Sequence, residues 1–153
     1  MEGKKAPAFT LENKDGEKVA LKDIEADFTV LFFYPKDSTP GCTIEAKGFN
    51  KSLNTFAKNG VEVIGISGGD NSTKEKFCKK HSLKLDLLSD ADFKVSKKYQ
   101  SYGEKKFMGK TFEGIYRKTF VLDKNKKIIK AYDKVKPAEH PKEVLDFIKS
   151  YSG

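Results

Sequence analysis

The sequence of 153 residues predicts an α/β fold in which an N-terminal β-hairpin precedes a mixed central sheet with helices on both faces. Strand-like and helix-like segments alternate through the first two-thirds of the chain. Two strand-like segments are almost continuously apolar, which is typical of strands covered on both faces. The chain then closes with a hairpin and an amphipathic helix. An apolar content of 37% supports one core, so we expect residues 1–153 to form a single domain.

The first elements follow from turn residues and periodicity. Residues 8–11 and 18–21 flank Asp15-Gly16, a pair that predicts a β-hairpin. Residues 28–33 are apolar, aromatic and β-branched and predict a buried strand. A helix is expected from about residue 41 to the Asn59-Gly60 pair, because its apolar residues share one stripe.

Short sequence signals indicate the elements in the middle of the chain. Residues 61–67 predict a second buried strand, and Ser72 with Glu75 has the spacing of a capping box that opens a new helix. Three shorter elements are expected after it: a strand at 85–88, a helix at 92–99 and a glycine-punctuated loop at 101–114.

The last elements predict a hairpin and a closing helix. Residues 118–122 and 128–132 flank a polar turn, as the strands of a hairpin do. The helix expected at 141–151 places Val144, Leu145 and Ile148 toward the core.

Cys42 is placed where a thiol can become reactive. Pro40 and Gly41 precede it, and a proline is tolerated there because donors of the first helical turn have no intrahelical partner. A free cysteine has a pKa of about 8.5, whereas a helix N-terminus favours the thiolate. The hydroxyl of Thr39, three residues earlier, is also available to the sulfur.

Glu45 opposes this effect, because a carboxylate three residues after Cys42 repels a thiolate unless a cation neutralises it. The site therefore predicts a nearby positive group. Arg117 is the only arginine among 30 basic residues, which suggests a place where a planar, permanently charged fork is required. The alternative is an arginine with no special role.

The segment FYPKDSTPGCTIE, residues 33–45, carries the spacing Pro35-x-x-x-Thr39-x-x-Cys42 and resembles the peroxiredoxins, specifically their bacterioferritin-comigratory (Q-type) branch. Further segments resemble the same branch in the same order, so the resemblance covers essentially the whole chain: 63–67, 88–90, 108–110 and 114–117. It implies a thioredoxin-like fold. Position 39 is threonine, whereas a thioredoxin-like dithiol exchanger needs a cysteine there, so we disfavour that activity.

The resemblance also implies a reaction and the residues that perform it. The Cys42 thiolate attacks one oxygen of hydrogen peroxide or an organic hydroperoxide and becomes a sulfenic acid. Thr39, the Cys42 N–H and Arg117 stabilise the moving charge. Pro35 shields the sulfur from water, and Glu45 orients Arg117.

Cys78 is expected to resolve the sulfenic acid. Q-type peroxiredoxins carry a resolving cysteine either five residues after the first or in the following helix; position 47 is Lys47, so only the second arrangement fits. Disulfide formation requires Cα atoms within about 7 Å, so we expect local unwinding around one or both cysteines. The alternative is that Cys78 is a buried apolar filler.

Composition limits the partners. The net charge of +8 comes from dispersed lysines, which indicates a solvated surface rather than a nucleic-acid site. No apolar run approaches the roughly 20 residues of a membrane span, so we expect a soluble, cytoplasmic protein. Cys78 and His81 alone cannot complete a metal site, and nothing suggests a cofactor. The resemblance implies a monomer reduced by thioredoxin or glutaredoxin; a redox sensor or holdase with little turnover is the alternative function.

Overall fold

A computed structural model describes residues 1–37 and 39–151. Its main sheet has seven strands in the spatial order β2-β1-β5-β4-β3-β8-β9, and β6 and β7 form a separate hairpin. The strands, numbered along the chain, are β1 (Thr10–Glu12), β2 (Lys18–Ala20), β3 (Phe28–Phe33), β4 (Val61–Ser67), β5 (Asp86–Ser89), β6 (Tyr102–Phe107), β7 (Lys110–Ile115), β8 (Lys118–Leu122) and β9 (Ile128–Tyr132). The N-terminal hairpin is present, with Thr10 opposite Ala20.

Helices cover both faces of the sheet, as the sequence predicts. One face carries α1 (Pro40–Lys51), α2 (Leu53–Lys58), α3 (Asn71–His81) and α5 (His140–Ser150). The opposite face carries α4 (Lys94–Lys98) and a 3₁₀ turn at Leu21–Asp23. Within the described part of the chain, no helix is long and apolar enough to cross a bilayer.

The centre of the sheet is buried on both sides. Strand β3 runs parallel to β4 and antiparallel to β8. Successive side chains of a strand point to opposite faces, so Val30 and Phe32 join the core under α1 and α3 while Leu31 and Phe33 join the other core. This two-sided burial explains the continuous apolar sequence of β3.

The single helix predicted between residue 41 and Asn59 is wrong in one respect, because it breaks at Ser52. The ψ angle of Ser52 is 5°, outside the helical range, and separates α1 from α2. The apolar stripe continues across the break, since the rings of Phe49 and Phe56 lie 5.9 Å apart. The apolar residues of α1 and α2 therefore pack on the same face although the backbone bends at Ser52.

The predicted capping box is also wrong. Asp70, and not Ser72, caps α3, and its carboxylate accepts a hydrogen bond of 3.0 Å from the Thr73 N–H. The Ser72 hydroxyl donates to the same carboxylate at 2.8 Å. The aspartate acts as the cap because it lies one residue before the helix, where an acceptor reaches the unpaired N–H groups of the first turn.

The loop predicted at 101–114 is instead the β6/β7 hairpin. Met108 and Gly109 make its two-residue turn, and both have positive φ angles, 51° and 77°. A methionine is an unusual residue in the left-handed region, so no Asn-Gly or Asp-Gly signal marked the turn. Charged residues along β6 also hid the strand pattern.

Candidate active site

The start of α1 holds Cys42 in the third helical position. Thr39 is the N-cap residue and Pro40 the first helical residue. The first helical hydrogen bond runs from the Thr43 N–H to the Thr39 carbonyl at 2.9 Å, so the Cys42 N–H belongs to the turn before this ladder begins. The Cys42 side chain points into the core, and the residue is only 1% exposed.

Arg117 reaches this turn because of strand pairing. Strand β8 pairs with β3 so that Lys118 lies opposite Phe33, which places the preceding residue beside the end of β3 and the start of α1. One guanidinium nitrogen, Nη2, donates to Cys42 Sγ at 3.3 Å, and the other, Nη1, donates to Glu45 Oε1 at 2.7 Å. The guanidinium therefore bridges the sulfur and the carboxylate.

Glu45 is a buried carboxylate with one orphaned oxygen. Among the described residues, its Oε2 has no hydrogen-bond partner. Burial raises the pKa of Glu45 to about 7, although the Arg117 guanidinium opposes the shift. For Arg117, burial lowers the pKa, but Cys42 and Glu45 outweigh it and the net shift is upward. The guanidinium stays charged and can stabilise negative charge on the sulfur.

Thr39 and Pro35 lie in the turn between β3 and α1. The Thr39 hydroxyl donates to the Lys36 carbonyl at 3.0 Å. The sequence had suggested that it could donate to the sulfur instead. Pro35 is half-buried and lines a groove of about 410 Å³ together with Asp37, Gly68, Gly69 and Phe93 among others. Cys42 itself is not among the described residues that line this groove.

Cys78 is the other buried thiol. Both cysteines are free, and both belong to the core on the α1 and α3 side of the sheet. Burial raises the pKa of Cys78, and Asp37 and Asp86 add to the shift while Lys14 and Lys74 oppose it. A thiol that is buried and holds its proton is a poor nucleophile, so this folded arrangement does not favour a reaction of Cys78.

Several known proteins are similar to this chain in sequence. Residues 3–131 match the AhpC/TSA family. The chain is 40% identical to peroxiredoxin Bcp of Escherichia coli (strain K12) over 147 residues, which covers 96% of this chain and 94% of that protein. It is 41% identical to peroxiredoxin Bcp of Bacillus subtilis (strain 168) over 150 residues, with 98% and 96% covered.

The chain belongs to the AhpC/TSA family as a Bcp-type peroxiredoxin. Its fold superimposes on the Xanthomonas campestris bacterioferritin comigratory protein, solved in a study of that protein's alkyl peroxide reduction, with a TM-score of 0.89, 34% identity and coverage of 95% and 91%. A Xylella fastidiosa PrxQ variant gives a TM-score of 0.89 at 29% identity, with 98% of both chains covered. The thioredoxin-like fold and the family resemblance are confirmed, and the protein is a thiol peroxidase.

This peroxiredoxin contains a buried ion pair that was not predicted from the sequence. Lys74 is 0% exposed, and its ammonium donates to Asp37 Oδ2 at 2.7 Å and to the Gly68 carbonyl at 2.6 Å. The Tyr34 hydroxyl donates to the other oxygen of Asp37 at 2.8 Å. The pair ties the turn before Cys42 to the helix that carries Cys78. One signal was available, because Lys74 lies on the inward stripe of α3, four residues before Cys78.

Lys105 is a second cation that the sequence analysis missed. Its ammonium donates to the Ile115 carbonyl at 3.0 Å, close to where the chain enters Arg117. Burial and the charge of Arg117 lower the pKa of Lys105, and Cys42 opposes the shift. No signal in the sequence separates it from the other lysines, because its position depends on the unpredicted β6/β7 hairpin.

Metal-ligating side chains do not cluster at the site. Over residues 1–37 and 39–151, no group of three or more His, Cys, Asp or Glu side chains is placed to hold a metal ion. His140 is the first residue of α5, and its two ring nitrogens contact Glu143 at 2.9 Å and Thr119 at 2.7 Å.

Gly41 leaves space that the guanidinium uses, so Gly41→Ala is expected to slow oxidation of Cys42. A Cβ on Gly41 would lie 3.1 Å from Arg117 Nη2, so the guanidinium must shift by a few tenths of an ångström from its position beside the sulfur. We expect about a five-fold or larger loss in the rate of Cys42 oxidation by hydrogen peroxide, because small misplacements of a charge-stabilising group are costly. Stopped-flow fluorescence or competition kinetics measures this rate.

Gly48→Ala in the same helix is the matched control. Its Cβ would meet the Pro141 ring at 2.9 Å, at the contact with α5 rather than at Arg117. This variant should lose stability and keep the wild-type oxidation rate. Equal oxidation rates for Gly41→Ala and the wild type would show that the position of Nη2 does not matter.

The raised pKa of Glu45 predicts a pH-dependent stability. A carboxyl whose pKa is about 7 in the folded state, against 4.5 for the ordinary group, binds a proton more tightly when folded. This contribution is complete below pH 4.5 and is lost as the pH rises through 7, and it amounts to roughly 3 kcal/mol. Urea unfolding between about pH 5 and about pH 8.5 should therefore show a steeper loss of stability for the wild type than for Glu45→Gln. Glu75→Gln, which removes an exposed carboxylate on α3, should behave as the wild type does.

Proposed function

We propose that Cys42 is the residue that reacts with hydroperoxides, that Cys78 converts the product to an intramolecular disulfide, and that thioredoxin reduces this disulfide. The observation that carries the proposal is the Arg117 bridge, with Nη2 at 3.3 Å from Cys42 Sγ and Nη1 at 2.7 Å from Glu45. It aims a permanent positive charge at the sulfur of a thiol peroxidase.

The first step is a displacement at oxygen. The Cys42 sulfur donates an electron pair to the terminal oxygen of the hydroperoxide, the S–O bond forms as the O–O bond breaks, and the leaving oxygen takes a proton to become water or an alcohol. Arg117 stabilises the negative charge as it passes from sulfur to the leaving oxygen. The Thr39 hydroxyl donates to Lys36, so its own oxygen is left as an acceptor for the hydroperoxide O–H.

The second step joins the two cysteines. The Cys78 sulfur attacks the sulfenic acid, a disulfide forms and water leaves. Both thiols are buried in the described fold, so α3, the start of α1, or both must unwind first. The Lys74–Asp37 pair spans the two segments concerned, and it has to open during this rearrangement.

The third step returns the enzyme to its reduced form. A dithiol protein attacks the disulfide and leaves with its own disulfide, so two electrons pass from reductant to peroxidase. We assign this role to thioredoxin, with glutaredoxin as the second candidate. Because both cysteines lie in one chain, a monomer is sufficient, and we place the cycle in the cytoplasm, where such reductants keep thiols reduced.

Three substitutions test the cycle. Cys42→Ser should abolish turnover, and Arg117→Lys should retain about a tenth of it or less, because an ammonium cannot bridge sulfur and carboxylate. Cys78→Ser should permit one stoichiometric oxidation of Cys42 and then stall with thioredoxin. The measurements are peroxide consumption, NADPH consumption through thioredoxin reductase, and the mass of the Cys42 and Cys78 peptides after one equivalent of peroxide. Normal thioredoxin-driven turnover by Cys78→Ser would remove Cys78 from the cycle.

Lys74→Met should destabilise the fold and speed disulfide formation. The substitution leaves the Asp37 carboxylate without its cation, and breaking a buried pair costs about 3 kcal/mol. We expect that loss in urea unfolding, partial recovery in Asp37→Asn/Lys74→Met, and a several-fold faster appearance of the disulfide after oxidation.

Ser96→Ala is the control for a general loss of stability. It removes a hydrogen bond of 2.7 Å to the buried Asp90 on the opposite face of the sheet. It should lower stability without changing the rate of disulfide formation. A disulfide rate in Lys74→Met no faster than in Ser96→Ala would contradict the role of the pair.

A further inference from the structure

The β6/β7 hairpin carries an apolar surface that nothing in the described fold covers. Directly opposed residues share a face, so Lys105 and Phe112 lie on the same side as Phe107 and Lys110. Phe107 is 67% exposed, Phe112 is 47% exposed, and Met108 at the turn is 86% exposed. We call these five residues the hairpin patch. It combines three large apolar side chains with two lysines.

The acidic residues of the hairpin lie on its other face. Glu104 and Glu113 are opposite one another in the register, and they alternate with the patch residues along each strand. The patch therefore presents positive charge and apolar surface together, without a carboxylate of its own. A complementary surface has acidic groups around an apolar centre.

One end of the hairpin patch lies near the reactive site. Strand β7 ends at Ile115, two residues before Arg117, whose guanidinium contacts the Cys42 sulfur. The Lys105 ammonium, which belongs to the patch, donates to the Ile115 carbonyl at 3.0 Å. A molecule seated on the Lys105 end of the patch therefore lies near Arg117, which contacts the Cys42 sulfur.

We propose that the hairpin patch is the surface on which the reductant docks, through acidic groups around an apolar area beside the reductant's own reactive thiol. This inference rests on the proposed function, because that cycle requires a protein dithiol to reach the Cys42–Cys78 disulfide. The patch supplies the two things this encounter needs, electrostatic attraction to an acidic protein and apolar area close to the disulfide.

Other occupants fit the patch less well. A second copy of this chain would bring lysines against lysines in a contact between two like patches, on a molecule with a net charge of +8. An anionic bilayer would attract the lysines, but Glu104 and Glu113 on the reverse of the same two strands would be repelled from it.

The test compares thioredoxin with a small reductant that needs no docking surface. Phe107→Thr/Met108→Asn removes apolar area, places a β-branched residue in the strand and puts a residue that tolerates the left-handed conformation at the turn. We expect the KM for thioredoxin to rise about ten-fold. The rate of Cys42 oxidation by hydrogen peroxide and turnover driven by dithiothreitol should stay at the wild-type level.

A charge reversal tests the electrostatic part. Lys110→Glu reverses the exposed charge of the patch at the hairpin end and should raise the KM for thioredoxin and weaken its dependence on salt. Lys124→Glu makes the same change in net charge beside the groove at the opposite end of β3, and it should leave the KM for thioredoxin near the wild-type value.

Other results would each overturn a stated part of the proposal. An unchanged KM for thioredoxin in both hairpin variants, with normal wild-type turnover, overturns the docking surface and leaves the proposed cycle intact. A wild-type enzyme that thioredoxin cannot reduce overturns the thioredoxin assignment and the docking together. Patch-dependent sedimentation with anionic vesicles, or patch-dependent dimers in light scattering, would assign the patch to a bilayer or to a second copy instead.

Discussion

The site depends on one guanidinium held between a sulfur and a buried carboxylate. Arg117 donates at 2.7 Å to Glu45 and at 3.3 Å to Cys42, and the two bonds use different nitrogens of one planar group. A carboxylate with no exposed surface is unfavourable alone, and the fork compensates part of that cost while a second nitrogen stays directed at the sulfur. Glu45 therefore fixes the direction of a charge that a flexible lysine could not hold.

Lys74 and Asp37 form a second buried ion pair, and its consequence for the proposed cycle is different. The Arg117 bridge joins β8 to α1 and preserves the geometry in which, in the proposed cycle, Cys42 meets a hydroperoxide. The Lys74 pair joins the turn after β3 to α3, and the next step of the proposed cycle must disrupt that connection. One pair supports the reactive fold, and the other sets how firmly that fold resists the change that follows.

The sequence predicts most of the frame and only part of the site. The buried strands β3 and β4 match their predicted bounds, because a strand covered on both faces leaves a continuous apolar signal. The β6/β7 hairpin was missed because its strands lie outside the main sheet and have no such signal. Lys105 was missed because the chain has many lysines, and only its three-dimensional neighbours separate it from solvated ones. Lys74 shares the inward stripe of α3 with Cys78, so the sequence indicated its burial but not its partner Asp37.

Because both thiols are buried, the rate of disulfide formation in the proposed cycle depends on how readily the fold opens. A structure that holds Cys42 beside Arg117 also keeps Cys78 protonated in the core, since burial raises the pKa of the Cys78 thiol. In the proposed cycle, the fully folded form, with Arg117 at the Cys42 sulfur, serves the oxidation step, and disulfide formation requires a rearranged form. If α3 were held too firmly, the sulfenic acid would persist and meet a second peroxide, which carries it to sulfinic acid. If α3 were held too loosely, the Arg117 geometry would be lost before the first peroxide arrived. For the proposed cycle, the strength of the contacts between α3 and the turn before Cys42 must therefore lie between these limits, and the buried Lys74–Asp37 pair is a contact that contributes to it.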